Sequence, residues 1–277
     1  MQLNPRYDGP AVITFDPAPA DPSIPLLRQR RRLADTLAGL DDGQWVASSR
    51  CAGWSCRDVV SHLATVNTFW AHSVTSGRRG EPTRYLTGFD PAVTPAQLVD
   101  GAPETGIPEL LDLYVTSTES LAAAFDGLDA DGWARPAEAP PGHVAISAVA
   151  LHALWDGWVH ERDIALPLGL DVVEKPDEVA AGLRYAVGVG PALLATTGSM
   201  RTGTFGVRAT GPDLELRVEV GPEIVVRDGG GVDGSAVVAG RAVDLLESFS
   251  LRIDPPTLPE PHRWMVEGLA AAFDQPI

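Results

Sequence analysis

Residues 151–163, LHALWDGWVHERD, form the stretch that decides both the fold and the candidate site. In an α-helix, Asp156 and His160 lie four residues apart on one face, and His152 lies one turn earlier. A carboxylate and an imidazole in that arrangement can bind one divalent metal ion together. The flanking residues are mostly apolar and predict a buried helix, so these polar side chains must face a cavity or a partner.

Two interpretations of this pair are open when the helix is considered alone. In one, Asp156 and His160 belong to a metal site that is completed from another helix. In the other, they are core residues that hydrogen-bond each other or the backbone. A second ligand-bearing segment is needed to decide between them.

Length, composition and charge narrow the class of protein. With 277 residues, of which 44% are hydrophobic, the chain is expected to form two globular domains. The net charge of −16 argues against nucleic-acid binding, which needs a basic face. The short basic run at residues 28–32 is interpreted as the solvated face of a helix.

The sequence also bears on compartment and cysteine chemistry. It shows neither a signal or transit peptide nor an apolar run of about 18 residues, so we expect a cytoplasmic protein without membrane association. Cys51 and Cys56 are too few for a disulfide framework, and their spacing fits no common zinc pair. Because no histidine is near them in sequence, neither is predicted to be a nucleophile.

The hydrophobic periodicity predicts an extended arm at residues 1–25 and a four-helix bundle at residues 26–169. The helices are expected at residues 26–40, 56–74 with Ser55 as N-cap, 108–125 and from about 143 until Pro167 and Gly169 end the last one, with a long loop at 76–107. Residues 133–142 are expected to be a proline-rich connection. His62 lies beside the apolar stripe of the second helix. Bundles build cofactor sites from side chains on facing helices.

Residues 170–277 have a different pattern and predict a small α+β domain. A helix at 176–195 precedes antiparallel strands at 203–210, 214–220 and 224–228, a further strand at 235–239, and helices at 241–249 and 262–273. The predicted fold class is therefore α+β, a helical bundle followed by this smaller domain.

If the second and fourth helices face each other, His62 completes a site with Asp156 and His160. Two nitrogens and one oxygen leave one tetrahedral position open for a further ligand. His152 is either a fourth ligand or a supporting group. Asp163 can orient His160, although a carboxylate on the helix surface is the alternative reading.

Three segments together resemble the mycothiol-dependent maleylpyruvate isomerase family, a branch of the DinB-like metal-binding four-helix bundles with a sterol-carrier-like C-terminal domain. They are Trp45 followed by SRCAGWSCRDVVSHLA at residues 49–64, WDGWVHERDIA at 155–165, and GSAVVAGRAVDLLESFSLRIDPP at 234–256. The resemblance implies that His62, Asp156 and His160 bind the metal, with Asp156 in place of the family's glutamate. It also implies that Arg252 holds a carboxylate of the substrate or the thiol, and an exposed surface arginine is the alternative interpretation.

The chemistry implied by the resemblance is thiol activation. It calls for a divalent metal, with Zn²⁺ as the expected ion, and for mycothiol as cosubstrate. Mycothiol would attack an electrophilic small molecule, with the chain acting as an S-transferase or a cis-trans isomerase. Two alternatives stay open: a metal hydrolase or lyase that uses bound water, and a non-catalytic small-molecule carrier. A monomer and a homodimer are both compatible with the sequence.

Overall fold

The computed structural model describes residues 2–198, 201–232 and 234–273, and its architecture is α+β. The helices in these ranges are α1 (Ser23–Ala38), α2 (Asp42–Trp45), α3 (Cys56–Arg78), α4 (Thr94–Asp100), α5 (Ile107–Phe125), α6 (Ala130–Ala134), α7 (Ile146–Ala165), α8 (Pro176–Ala195), α9 (Ala242–Phe249) and α10 (Gly268–Ala272). The strands are β1 (Ile13–Asp16), β2 (Pro136–Ala139), β3 (Gly142–Ala145), β4 (Gly203–Thr210), β5 (Leu214–Val220), β6 (Ile224–Asp228) and β7 (Val237–Arg241).

Helices α1, α3, α5 and α7 form the predicted bundle. Helix α3 packs on α5 and α7, and α1 packs on the same two helices. Helix α7 is buried along most of its length, as its apolar sequence predicts. It begins at Ile146 and not near residue 143, because residues 142–145 pair with β2 as strand β3. Because α7 faces α3, its polar residues lie inside the bundle.

The C-terminal region forms a sheet of the order β1-β6-β5-β4-β7 among the described residues. Strands β4, β5 and β6 are antiparallel neighbours and have the predicted bounds. Helix α8 packs on β5 and β6 of the sheet and on α7 of the bundle. This helix therefore connects the packing of the sheet with that of the bundle.

Strand β1 lies in the segment that was predicted to be an extended arm. It pairs in parallel with β6, with Ile13 opposite Ile224. The boundaries at residues 26 and 170 stay a prediction, but the N-terminal segment contributes an edge strand to the C-terminal sheet. Residues 1 and 274–277 of the predicted arm and C-terminal domain lie outside the described residues.

Several local expectations differ from the structure. The predicted loop at 76–107 contains helix α4, and the predicted connection at 133–142 contains the end of α6, β2 and the start of β3. The predicted last helix is a 3₁₀ turn at Arg263–Met265 followed by α10. These elements are too short to give a clear periodic signal.

The interpretation of residues 28–32 as a solvated face is wrong. Gln29 and Arg30 are fully buried between α1 and α7. Arg32 forms ion pairs with Glu161 at 2.7 Å and with Glu178 at 2.8 Å, and Arg28 pairs with Glu178 at 2.7 Å. Carboxylates distant in sequence pair with Arg28 and Arg32, and the buried Arg30 donates instead to Asn67, Gln29 and the carbonyl of Ala153.

No helix among the described residues is both long and apolar enough to cross a membrane.

Candidate metal centre

The three residues predicted to bind metal come together between α3 and α7. His62 Nε2 and His160 Nε2 each lie 3.5 Å from Asp156 Oδ1. The Ser55–Asp58 capping box fixes the start of α3 less than two turns before His62. The i,i+4 spacing on α7 places Asp156 and His160 on one face. The geometry selects this pairing of helices, which the sequence alone left open.

The distances and donor types fit a divalent ion. A separation of 3.5 Å is long for an N–H···O hydrogen bond. It is close to the roughly 3.3–3.5 Å between ligand atoms that lie about 2.0–2.2 Å from a shared tetrahedral ion. Asp156 Oδ2 is buried and has no hydrogen-bond partner among the described residues. A buried oxygen of this kind needs an explanation, and a bound cation provides one.

The aspartate at position 156 reaches the site in spite of its shorter side chain. Its Oδ1 lies equally far from the two imidazole nitrogens of His62 and His160. The three side chains keep 11% to 14% of their surface exposed, so a small ligand can approach them.

Charge interactions within the cluster shift the pKa values of its groups. Burial alone would raise the pKa of Asp156, but His160 and His62 hold it well below its usual range. Burial alone would lower the pKa of His160, but Asp156, Asp163 and Cys51 raise it well above its usual value. Without a metal ion, the carboxylate of Asp156 and a protonated His160 therefore attract each other.

Asp163 is fully buried and contacts His160 directly, so the surface alternative is wrong for this residue. Its Oδ2 lies 2.9 Å from His160 Nδ1. Burial would raise the pKa of Asp163, but His160 and Arg252 lower it, so the side chain is a carboxylate and can only accept. His160 Nδ1 therefore donates to Asp163, and His160 Nε2 faces Asp156.

Arg252 lies against Asp163. Its Nε and Nη2 donate to Asp163 at 2.8 Å and 2.7 Å, and its Nη1 donates to the carbonyl of Ser250 at 3.2 Å. The role that the resemblance gives Arg252, holding a carboxylate of the substrate or thiol, stays a prediction. In the structure, the guanidinium holds a carboxylate of the chain itself.

Cys51 is a residue of the site that the sequence did not reveal. Its sulfur lies 3.2 Å from Asp163 Oδ2 and 3.6 Å from His160 Nδ1, across 109 residues or more of chain. Cys51, His160 and Asp163 form a second group of atoms that could hold a cation. The guanidinium of Arg252 already supplies the positive charge there, with Nη2 3.6 Å from the sulfur. The first cluster is therefore the better metal site.

Aromatic rings complete the surroundings of the site. The ring of Trp54 lies 5.4 Å from that of His62 and 6.5 Å from that of His160. His152 is not in either group of potential ligand atoms among the described residues. Its Nδ1 lies 2.6 Å from the hydroxyl of Tyr185, and its ring contacts Trp70. Of the two roles considered for His152, the supporting one fits this placement.

Comparison with solved structures finds two similar chains. One is the crystal structure of the mycothiol-dependent maleylpyruvate isomerase, and the other is a variant of that enzyme with one histidine replaced by alanine. Each is 17% identical to this chain with a TM-score of 0.57, and each match covers 87% of this chain and 96% of the other. This likeness establishes a shared fold. Comparison with curated proteins finds no match.

The match to a family model assigns this chain to a protein family. The model described as the mycothiol maleylpyruvate isomerase N-terminal domain matches residues 26–165, half of the chain. The matched residues include α3 and α7, which carry the metal-ligand candidates. This chain therefore belongs to the mycothiol-dependent maleylpyruvate isomerase family.

Proposed function

We propose that this chain is a metal-dependent enzyme that activates mycothiol for attack on an electrophilic small molecule, as an S-transferase or a cis-trans isomerase. The observation that carries the proposal is the convergence of His62 Nε2, Asp156 Oδ1 and His160 Nε2, with 3.5 Å between the carboxylate oxygen and each nitrogen. Membership of the family supports mycothiol as the thiol, since the similar solved structures are mycothiol-dependent by name.

The three side chains would hold a divalent ion, with zinc as the expected metal, through two imidazoles and one carboxylate. This set leaves a position for an external ligand, which is typical of catalytic zinc sites and not of structural ones. When bound, such an ion lowers the pKa of a thiol and so supplies thiolate at neutral pH.

The other residues of the site orient the ligands and shape the approach to them. Asp163 accepts a hydrogen bond from His160 Nδ1–H and so keeps His160 Nε2 directed at the centre. The indole of Trp54 lies beside the imidazoles of His62 and His160. Cys51 is held by Asp163, so the reacting thiol is proposed to come from the cosubstrate.

The first test compares two histidines on the same helix. His62→Ala should weaken Zn²⁺ binding by more than the roughly 10–100-fold that loss of a residue behind a ligand costs. His72 is exposed on α3, and His72→Ala should leave Zn²⁺ affinity unchanged. Affinity is measured by competition with a chelator. Equal affinity in His62→Ala and wild type would overturn the proposed ligands.

The second test asks whether mycothiol binds at the metal. Mycothiol is titrated into protein loaded with Co²⁺, whose visible absorption responds to a thiolate ligand. We expect a new absorption band with mycothiol and none with mycothiol that is methylated on sulfur. A protein that binds Co²⁺ but shows no response to mycothiol would contradict the thiol chemistry and favour the water-based alternative.

A further inference from the structure

One buried carboxylate joins the candidate metal centre to the segment after α9. Asp163 lies at the end of α7 and accepts from His160 Nδ1 on one side. On the other side it accepts three hydrogen bonds from Nε and Nη2 of Arg252, which follows α9. A metal-ligand candidate of the bundle and a guanidinium from the C-terminal region therefore share one carboxylate.

The guanidinium of Arg252 has little capacity left for another anion. Nε and Nη2 form the two-pronged contact with Asp163, Nη1 donates to Ser250, and Nη2 also lies near Cys51. An incoming carboxylate that used the same fork would have to break a buried ion pair, which leaves Asp163 as an uncompensated charge. The observed geometry favours a role for Arg252 in holding Asp163 over a role in binding a substrate.

We propose that Arg252 is a positioning residue that acts on His160 through Asp163, so that the C-terminal region sets the metal affinity of the bundle. This proposal rests on the metal site of the proposed function. Asp163 has a second cation within reach, because Arg50 Nε lies 3.6 Å from its Oδ1. When Arg252 no longer holds both oxygens, Asp163 turns towards Arg50, and His160 loses the contact that directs Nε2.

Removal of the Arg252 charge has two opposing effects on a bound cation. Loss of positioning weakens binding, whereas loss of a nearby positive charge strengthens it. Arg252→Lys separates the two effects because lysine keeps the charge but lacks the planar fork. We expect Arg252→Lys to weaken Co²⁺ affinity by roughly tenfold and to alter the visible spectrum of bound Co²⁺, which reports coordination geometry.

A double-mutant comparison tests the route through Asp163. In an Asp163→Asn background, Arg252→Lys should have no further effect beyond about twofold, because the shared contact is already lost. The control is Arg241→Lys, an exposed arginine at the end of β7, which should bind Co²⁺ like wild type. Melting temperatures of the metal-free variants show that each one folds.

The outcomes separate this inference from the proposed function. Wild-type Co²⁺ affinity and spectrum in Arg252→Lys, with a raised KM, would overturn the positioning role and favour a direct contact with substrate. Additive losses in the double mutant would overturn the route through Asp163. If Arg252→Lys does not fold, unchanged Co²⁺ affinity in Asp163→Asn overturns the proposal. If wild-type protein binds no Co²⁺, the proposed metal site fails and this inference fails with it.

Discussion

At the scale of single residues, His152 shows how burial controls the charge of a histidine beside the candidate metal centre. Burial lowers the pKa of His152 to about 4, with His62 and Arg30 acting in the same direction and Asp156 opposing them. Burial also raises the pKa of the Tyr185 hydroxyl, which therefore stays protonated and donates to His152 Nδ1. At neutral pH, His152 is an uncharged part of the core.

This depressed pKa predicts an acid-dependent loss of stability. Below pH 6.5 the unfolded chain binds a proton at His152 that the folded chain rejects until the pH nears 4. Between pH 7 and pH 4.5, metal-free wild type should lose roughly 2 kcal/mol more of its free energy of unfolding than His152→Asn. Asparagine retains an acceptor for Tyr185, so the variant is a close match in contacts. Denaturant unfolding at both pH values measures the difference, and equal losses would contradict the pKa assignment.

The ligand candidates of the site could be predicted from the sequence, but the residues behind them could not. The spacing of Asp156 and His160 on one helix and the position of His62 beside an apolar stripe are local signals. Cys51 and Arg252 reach the site through contacts that span 109 and 89 residues, respectively. For the residues that support the ligands, the i,i+3 spacing of His160 and Asp163 was the one local signal in the sequence.

At the scale of elements, the packing of α1 on α7 explains the glycine in the WDGW sequence. Arg30 is fully buried and donates to the carbonyl of Ala153 and to Asn67 Oδ1. A Cβ atom at Gly157 would lie 1.3 Å from Arg30 Nη1. Gly157, next to Asp156, therefore leaves room for a guanidinium between the helices.

We expect Gly157→Ala to destabilise the protein by roughly 2 kcal/mol or more, since it overpacks the contact and displaces a buried cation. The control is Gly182→Ala on α8, where a Cβ would lie 3.1 Å from the flexible end of Leu246. That variant should be close to neutral, because alanine favours helix formation by up to about 1 kcal/mol. Denaturant unfolding compares the two, and equal stability of both variants would contradict this account.

The long elements of the fold were predictable and the short ones were not. Helices α3, α5 and α8 have sustained apolar stripes and defined starts, and they form close to their predicted bounds. Strands β2 and β3 have four residues each and are stabilised by contacts such as that between Glu138 and Ser73. Such contacts leave no periodic pattern in the sequence.

At the scale of the whole molecule, the sheet combines β1, which precedes the bundle in the chain, with four strands that follow the bundle. Ile13 on β1 is buried and packs closely against Gly188 of α8, where a Cβ would lie 2.7 Å from Ile13 Cδ1. The neighbouring Thr14 is exposed on the other face of the strand. Strand β1 therefore belongs to the hydrophobic core between the C-terminal sheet and α8.

Ile13→Ala should lower the free energy of unfolding by about 2–4 kcal/mol, since it opens a cavity between the sheet and α8. Thr14→Ala removes an exposed side chain from the same strand and should change stability by less than about 0.5 kcal/mol. Denaturant unfolding of the two variants measures the contrast. If both variants match wild type, β1 does not contribute to the sheet in the way its pairing indicates.

The parallel pairing of β1 with β6 also affects the order in which the chain can assemble during synthesis. Strand β1 precedes the bundle in the chain, whereas its partner residues from 224 onwards follow the bundle. The growing chain therefore carries β1 without its β6 partner while the bundle is made. Closure of this sheet edge must therefore wait until β6 has been made, which places it late in assembly.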